Sequence, residues 1–385
     1  MSKFLVFLVV LAICQSIYGS NELDRRSIGF GVQRLRNRNP VLRSAVDCGP
    51  VVEYYFKEAV VDNFAPVEKQ TYWAGSGQRY WLNKEFFGGK GSPILVFIGG
   101  EGQETCTRLS SRMYAYNLAQ SHNALMVDVE HRFYGESYPT AGMSTAELSH
   151  LSSEQALADL ARSIDHIKGE LDLHDSKVIT IGGSYPGNLA AWFRLKYPSV
   201  THASIASSAP VTAKTNFFEY MEVVASAIQY FSGQACYDAF ESAANEVANL
   251  AAQGAGSDGV KKLEQDFAVC STIKNNDDLS VLYSDLMGNI QGTVQYNNEH
   301  NGVLNVTDIC GTMLAGSDAY TQFVALSAKY RAANGQQCED ANWEDTVAYL
   351  SATAKDPTNA GRPWTYQTCN EFGYYQTTDS KVTLD

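Results

Sequence analysis

Positive charge is scarce in this sequence: 29 Lys and Arg stand against 42 Asp and Glu, a formal net charge of −13 over 385 residues. Non-specific nucleic-acid binding needs clustered Lys and Arg, so that class is excluded, and an acidic membrane surface would repel the chain. Also missing are the Cys/His spacings of a metal site, a glycine-rich phosphate loop and a basic stripe interleaved with aromatics. No metal, cofactor, nucleotide or nucleic-acid partner is therefore expected. Histidine is sparse, and only His202 and His300 follow residue 184. There is no internal repeat and no low-complexity tract. Past the first 20 residues no apolar run could cross the roughly 30 Å of a bilayer's hydrocarbon, so no membrane anchor is expected.

What is present is a soluble, foldable composition, 45% hydrophobic and 18% charged, with length for one large core or two unequal domains. Residues 1–19 have the form of a signal peptide: Lys3, an apolar stretch over 4–14, then Gly19 and Ser20 around the expected cut. The mature product is expected to be secreted or lumenal, in a lysosomal or endosomal compartment. Residues 20–47 carry Arg25, Arg26, Arg34, Arg36, Arg38 and Arg43 without apolar periodicity, and read as a basic arm or a propeptide. In an oxidising compartment cysteines are read first as disulfides. Cys14 leaves with the signal, and the seven that remain are an odd set, which implies a free thiol, an intermolecular bridge or a missing partner. Asn305-Val306-Thr307 is the one glycosylation sequon, with Asn305 expected in an exposed loop.

From residue 48 to 214 short apolar runs alternate with amphipathic segments. The runs at 94–98, 124–129, 178–181 and 202–206 read as buried strands. Apolar positions at helical spacing predict helices over 154–167, N-capped by Ser152 or Ser153, and over 189–197. Strand and helix in alternation are the pattern of a doubly wound, mostly parallel α/β sheet. From 215 to 355 strand signals fade and helical stretches appear at 237–253, 318–333 and 343–354. That region reads as a helical cap inserted into the α/β domain and stapled by disulfides, with 356–385 returning to the core.

The sharpest local signal is Gly182-Gly183-Ser184-Tyr185-Pro186-Gly187. A strand that turns abruptly into a helix holds a serine in strained backbone above the sheet edge, as in a nucleophile elbow. The helix that follows aims its free amides at a developing oxyanion, and the N–H of Tyr185 is the first donor. A second comes from the glycine loop after residue 98, at Gly100. Pro186 stands where the short pattern wants glycine, and Gly187 comes one step later.

Several further landmarks occur in order. They are Gly99-Gly100-Glu101-Gly102; Glu130-His131-Arg132-Phe133-Tyr134-Gly135-Glu136-Ser137; Ser153-Glu154-Gln155-Ala156-Leu157-Ala158-Asp159; and Ala190-Ala191-Trp192-Phe193-Arg194 after the elbow. Ala206-Ser207-Ser208-Ala209-Pro210-Val211 and the run from Arg362-Pro363-Trp364 to Tyr374-Tyr375-Gln376 complete them. Together, over about 59–376, they resemble the serine peptidase family of lysosomal Pro-X carboxypeptidase, dipeptidyl peptidase II and thymus-specific serine protease. The glycine-glutamate-glycine run and Glu219-Tyr220-Met221-Glu222-Val223-Val224 resemble the thymus-specific branch most. The resemblance implies an α/β-hydrolase with a helical cap, a Ser…Asp…His triad on Ser184, peptide substrates with proline near a terminus, and a homodimer.

The triad acid and base should follow the cap, on loops after the last strands of the sheet. His202 opens a strand, His300 sits in a polar turn of the cap, and His131 precedes the serine inside a structural motif, so none is expected to be the base. The chain is therefore expected to be a truncated form, its C-terminal strands missing and its activity nearly lost. Cys236 with Cys310 and Cys270 with Cys338 would staple the cap and Cys48 with Cys106 the core, leaving Cys369 over, although spacing does not settle the pairing. Two other readings stand beside the peptidase: a non-catalytic secreted binding protein on the same fold, and an esterase.

Overall fold

A computed structural model describes residues 48–298 and 304–380. The signal peptide, the basic arm and His300 lie outside the described residues. The chain divides into two compact units, one built from 48–213 with 351–371, the other from 214–350 with 372–380.

The first unit is an α/β layer structure around a six-stranded sheet. Its strands are β1 (Val51–Phe56), β2 (Gln78–Asn83), β3 (Ile94–Ile98), β4 (Leu125–Val129), β5 (Val178–Gly183) and β6 (Ala203–Ser207). The order across the sheet is β1-β2-β4-β3-β5-β6, with β2 antiparallel to both its neighbours and the rest parallel. Right-handed crossovers are the rule for such parallel strands, and here the helices Tyr114–His122, Ser153–Glu170 and Tyr185–Lys196 make the connections. β3 and β4 are buried along their whole length, and apart from Asp128 their residues are apolar without alternation. Ser152 caps the Ser153–Glu170 helix by accepting from Gln155 N–H, and Ala156, Leu157, Leu160, Ile164 and Ile167 form its buried face. This is the α/β-hydrolase sheet.

β1 and β2 carry no clear strand pattern in the sequence. All six residues of β2 are buried, three of them polar, and each polar side chain is satisfied at a distance. Gln78 donates to Glu130 O, Arg79 pairs with Glu130, and Asn83 donates to Leu109 O.

The second unit is helical. Helices Glu219–Ser232, Gln234–Ala251, Asp258–Asp266, Asn276–Gln295, Val306–Met313 and Ala319–Asn334 surround a core that includes Val247, Leu263, Phe267, Leu282 and Phe323. Burying each such side chain contributes about 1.5–3 kcal/mol. Cys236–Cys310 joins two of its helices, Cys270–Cys338 joins two of its connecting segments, and Cys48–Cys106 closes the start of the α/β unit. Cys369 is disulfide-bonded, and no described cysteine is free, so the expectation of a thiol left over is corrected. A second correction concerns the last segment. Residues 351–371 belong to the α/β unit, but from Phe372 onward the chain groups with the helical unit, because β8 (Gly373–Tyr375) pairs in parallel with β7 (Lys214–Asn216) rather than joining the large sheet.

Candidate active site

β5 runs directly into the helix Tyr185–Lys196 with a single residue, Ser184, at the corner. Ser184 has φ 63° and ψ −131°, on the left-handed side of φ that L-residues avoid. Strain of this kind costs on the order of 1–3 kcal/mol and persists only where the surroundings over-determine it. Here they do. Ser184 N–H donates to Ser207 O of β6 at 3.0 Å, and Ser184 O accepts from the amides of Gly187 and Asn188 at 2.8 and 3.2 Å. The residue itself is exposed, while Tyr185 to Ala190 behind it are buried.

Three glycines make room for the corner. A Cβ on Gly182 would overlap the Pro186 carbonyl, one on Gly100 would overlap the Pro186 ring, and one on Gly187 would lie 2.8 Å from Ser207 O. Pro186 therefore leaves the elbow intact. It sits in the first turn of the helix, where a missing N–H and φ near −65° cost nothing. The position that needs glycine is 187, three after the serine. Gly100 is in turn held against the elbow, which brings the 99–102 loop next to the first helical amide, that of Tyr185.

Beneath the elbow lies a buried polar network that the sequence did not announce. The Tyr185 hydroxyl meets His131 Nε2 at 2.9 Å, Gln367 Nε2 at 2.9 Å and Ser153 Oγ at 3.2 Å. Gln367 Oε1 accepts from the Tyr134 hydroxyl at 2.6 Å, and its amide also reaches Glu371 Oε2 at 3.2 Å. Glu371 accepts from Ser153 N–H as well, at 2.9 Å. Burial pushes the Tyr185 and Tyr134 phenols up, and raises Glu371 against the pull of its hydrogen bonds from Ser153 and Gln367. Burial lowers His131 to about 4, so the ring is neutral at any ordinary pH.

Two of the candidate histidines are engaged with partners other than the serine. His131 is engaged by Arg132 O and Tyr185, and His202 N–H pairs with Val178 O at the N-terminal end of β6. Since β5 and β6 run parallel, that is the end of the sheet opposite Ser184. Asn305 is the N-cap of Val306–Met313, its Oδ1 accepting from Asp308 N–H at 2.9 Å. The bond uses Oδ1, not the Nδ2 to which a glycan would attach. Among the described residues no group of three or more His, Cys, Asp or Glu could hold a metal, and no helix is long and apolar enough to cross a membrane.

Comparison with known proteins bears on this geometry. The serine carboxypeptidase S28 profile matches residues 59–385. The chain belongs to the serine carboxypeptidase S28 family. It is thus a member of a serine peptidase family. The mouse thymus-specific serine protease is 34% identical over 340 residues, covering 86% of this S28 chain and 65% of the relative. The human lysosomal Pro-X carboxypeptidase is 38% identical over 161 residues, 41% of this chain and 31% of that one. The chain spans 65% and 60% of the mouse and human thymus-specific relatives. Among solved structures an arylesterase covers 53% of the chain and 59% of its own at 18% identity, with a TM-score of 0.30.

Proposed function

We propose that this S28 chain carries the nucleophile half of a serine exopeptidase acting on proline-containing peptides, with Ser184 forming the acyl-enzyme. The observation that carries the reading is the strained, exposed Ser184 at the start of a helix, backed by Gly100. In the reaction Ser184 Oγ attacks the scissile carbonyl and gives its proton to a base. The amides of Tyr185 and Gly100 hold the oxyanion, the C–N bond breaks as the amine takes the proton, and water hydrolyses the ester. Preference for proline follows from relatives named for Pro-X carboxypeptidase activity.

The base and acid are to be supplied by polypeptide beyond the described residues, against β6. Among the described residues that strand is one edge of the sheet, and four of its five residues are exposed. Parallel strands are ordinarily covered on both faces, so added strands there would shield β6 and bring side chains to the sheet end where Ser184 sits. The chain by itself is then nearly inactive. Three disulfides and lysosomal relatives support a secreted or lysosomal product.

A fluorophosphonate, which labels activated serines, tests this on the chain and on a form extended at its C-terminus to the length of the relatives. Strong labelling of the extended form, weak labelling of the chain and none after Ser184→Ala is the expected result. Labelling that survives Ser184→Ala overturns it by placing the activated serine elsewhere, and none in either form overturns it in favour of a binding protein.

A further inference from the structure

With the ring neutral, the network under the elbow orders the hydrogens of His131 and Tyr185 in one way. His131 Nδ1 lies 2.8 Å from Arg132 O, a carbonyl that can only accept, so Nδ1 carries the hydrogen. Nε2 is then an acceptor, and the Tyr185 hydroxyl at 2.9 Å must be its donor. The Tyr185 oxygen in turn accepts from Gln367, Ser153 Oγ lies between it and Glu371 Oε2 at 3.2 and 3.3 Å, and Gln367 is oriented by Tyr134 on its oxygen and by Glu371 on its amide. His131, Tyr185, Tyr134 and Gln367 are each at most 4% exposed, so water does not compete for these bonds.

Tyr185 is also the residue whose main-chain N–H follows Ser184. We propose that His131 is a positioning residue: acting through the Tyr185 hydroxyl, it fixes the peptide that supplies the oxyanion donor. This deepens the serine-peptidase reading and rests on it. An oxyanion donor works within a few tenths of an ångström, and a misplacement of 1 Å costs on the order of a hundredfold. A phenol locked at its far end holds its own backbone more narrowly than apolar packing alone.

The anchor needs a neutral ring, because a proton on Nε2 would set donor against donor. Four charged or titratable groups act around the pair. Arg132 is tied to Asp159, and Tyr134 packs edge-on to the ring. Glu371 and Glu101 both raise Tyr185 through their charge. None donates to Nε2. With burial holding the ring near 4, the anchor persists at the pH of an acidic lumen and fails only below it.

The test pairs spectroscopy with reactivity. In the parent chain, ¹⁵N-histidine NMR should show His131 as the Nδ1–H tautomer from pH 8 to 5, with its Nε2 resonance shifted by Tyr185→Phe. In the form that labels, His131→Phe and Tyr185→Phe should slow fluorophosphonate labelling of Ser184 by about tenfold to a hundredfold. His131→Gln, which returns an acceptor, should recover part of that loss and should move the acid limb of the labelling profile. An Nε2–H tautomer or a histidinium at pH 7 overturns the proposal, and so do folded variants that label at the parent rate. A parent that never labels overturns the serine assignment and this role with it, and is told apart because the variants are then not needed to see the failure. If a variant does not fold, the tautomer in the parent decides.

Discussion

The two units hide charge in opposite ways. In the α/β unit buried charges meet their opposites. Arg132, fully buried, grips Asp159 with Nε at 2.6 Å and a second nitrogen at 2.7 Å, and gives its remaining hydrogens to the carbonyls of Val60, Val61 and His150. Arg79 does the same to Glu130 at 2.6 and 3.1 Å. In the helical unit a carboxyl meets a carboxyl. Asp285 and Glu339 are buried side by side. Glu339 Oε1 takes Ser327 and Arg331, and its other oxygen has no donor unless Asp285 is protonated. Burial, then the hydrogen bond and charge of Glu339, lift Asp285 to about 8. One interior is neutralised by geometry, the other by a proton. Asp128 on β4 is the exception in the α/β unit: neither oxygen has a hydrogen-bond donor, and burial, with the charge of Glu104 nearby, raises its carboxyl well above the usual carboxylate range.

The largest effect that could break this contrast is at Arg132. Arg132→Ala strands Asp159 in the core and should cost about 3–5 kcal/mol in a denaturant titration; a loss under about 1 kcal/mol would mean the pair is not what holds that interior. Next comes the staple of the helical unit. Cys270→Ser with Cys338→Ser opens a loop of 68 residues. It should remove about 2–4 kcal/mol, with amide exchange rising in the helical unit and not around β3 and β4. A smaller effect sharpens the proton argument. A carboxyl raised to about 8 in the fold and near 4 unfolded stabilises fully below pH 4, and that contribution is lost as pH rises through about 8. Asp285→Asn, which keeps a donor toward Glu339, should flatten that slope and raise the melting temperature at pH 8; an unchanged slope would remove the shared proton. The smallest concerns Ser184. Ser184→Gly should stabilise by about 1 kcal/mol through relief of the positive φ, whereas Ser184→Ala, which keeps a Cβ, should not.

Much of the α/β unit was readable in advance because its information is local. The strands at 94–98, 124–129, 178–181 and 202–206 and the helix after residue 152 stand within a few residues of where periodicity puts them. The elbow was readable too, since a strand, two glycines and a serine leave few alternatives. β1 and β2 were not. A strand reading Gln-Arg-Tyr-Trp-Leu-Asn alternates nothing, and it is buried because partners from residues 109, 130 and 163 satisfy it. The same holds for 372–376, whose family motif gives no hint that it would pair with residues 214–216 instead of the large sheet.

The chain's own order of residues therefore determined the α/β class, the strained serine corner and its family, since hydrophobic period and glycine steric needs act within a single short segment. The tertiary structure alone decided which groups meet the two ring nitrogens of His131, that Pro186 is accommodated by Gly100, and that Glu339 raises Asp285. Those are properties of pairs brought together from as far as 233 residues apart. Desolvation and hydrogen-bond direction exist only once both members of a pair have left water.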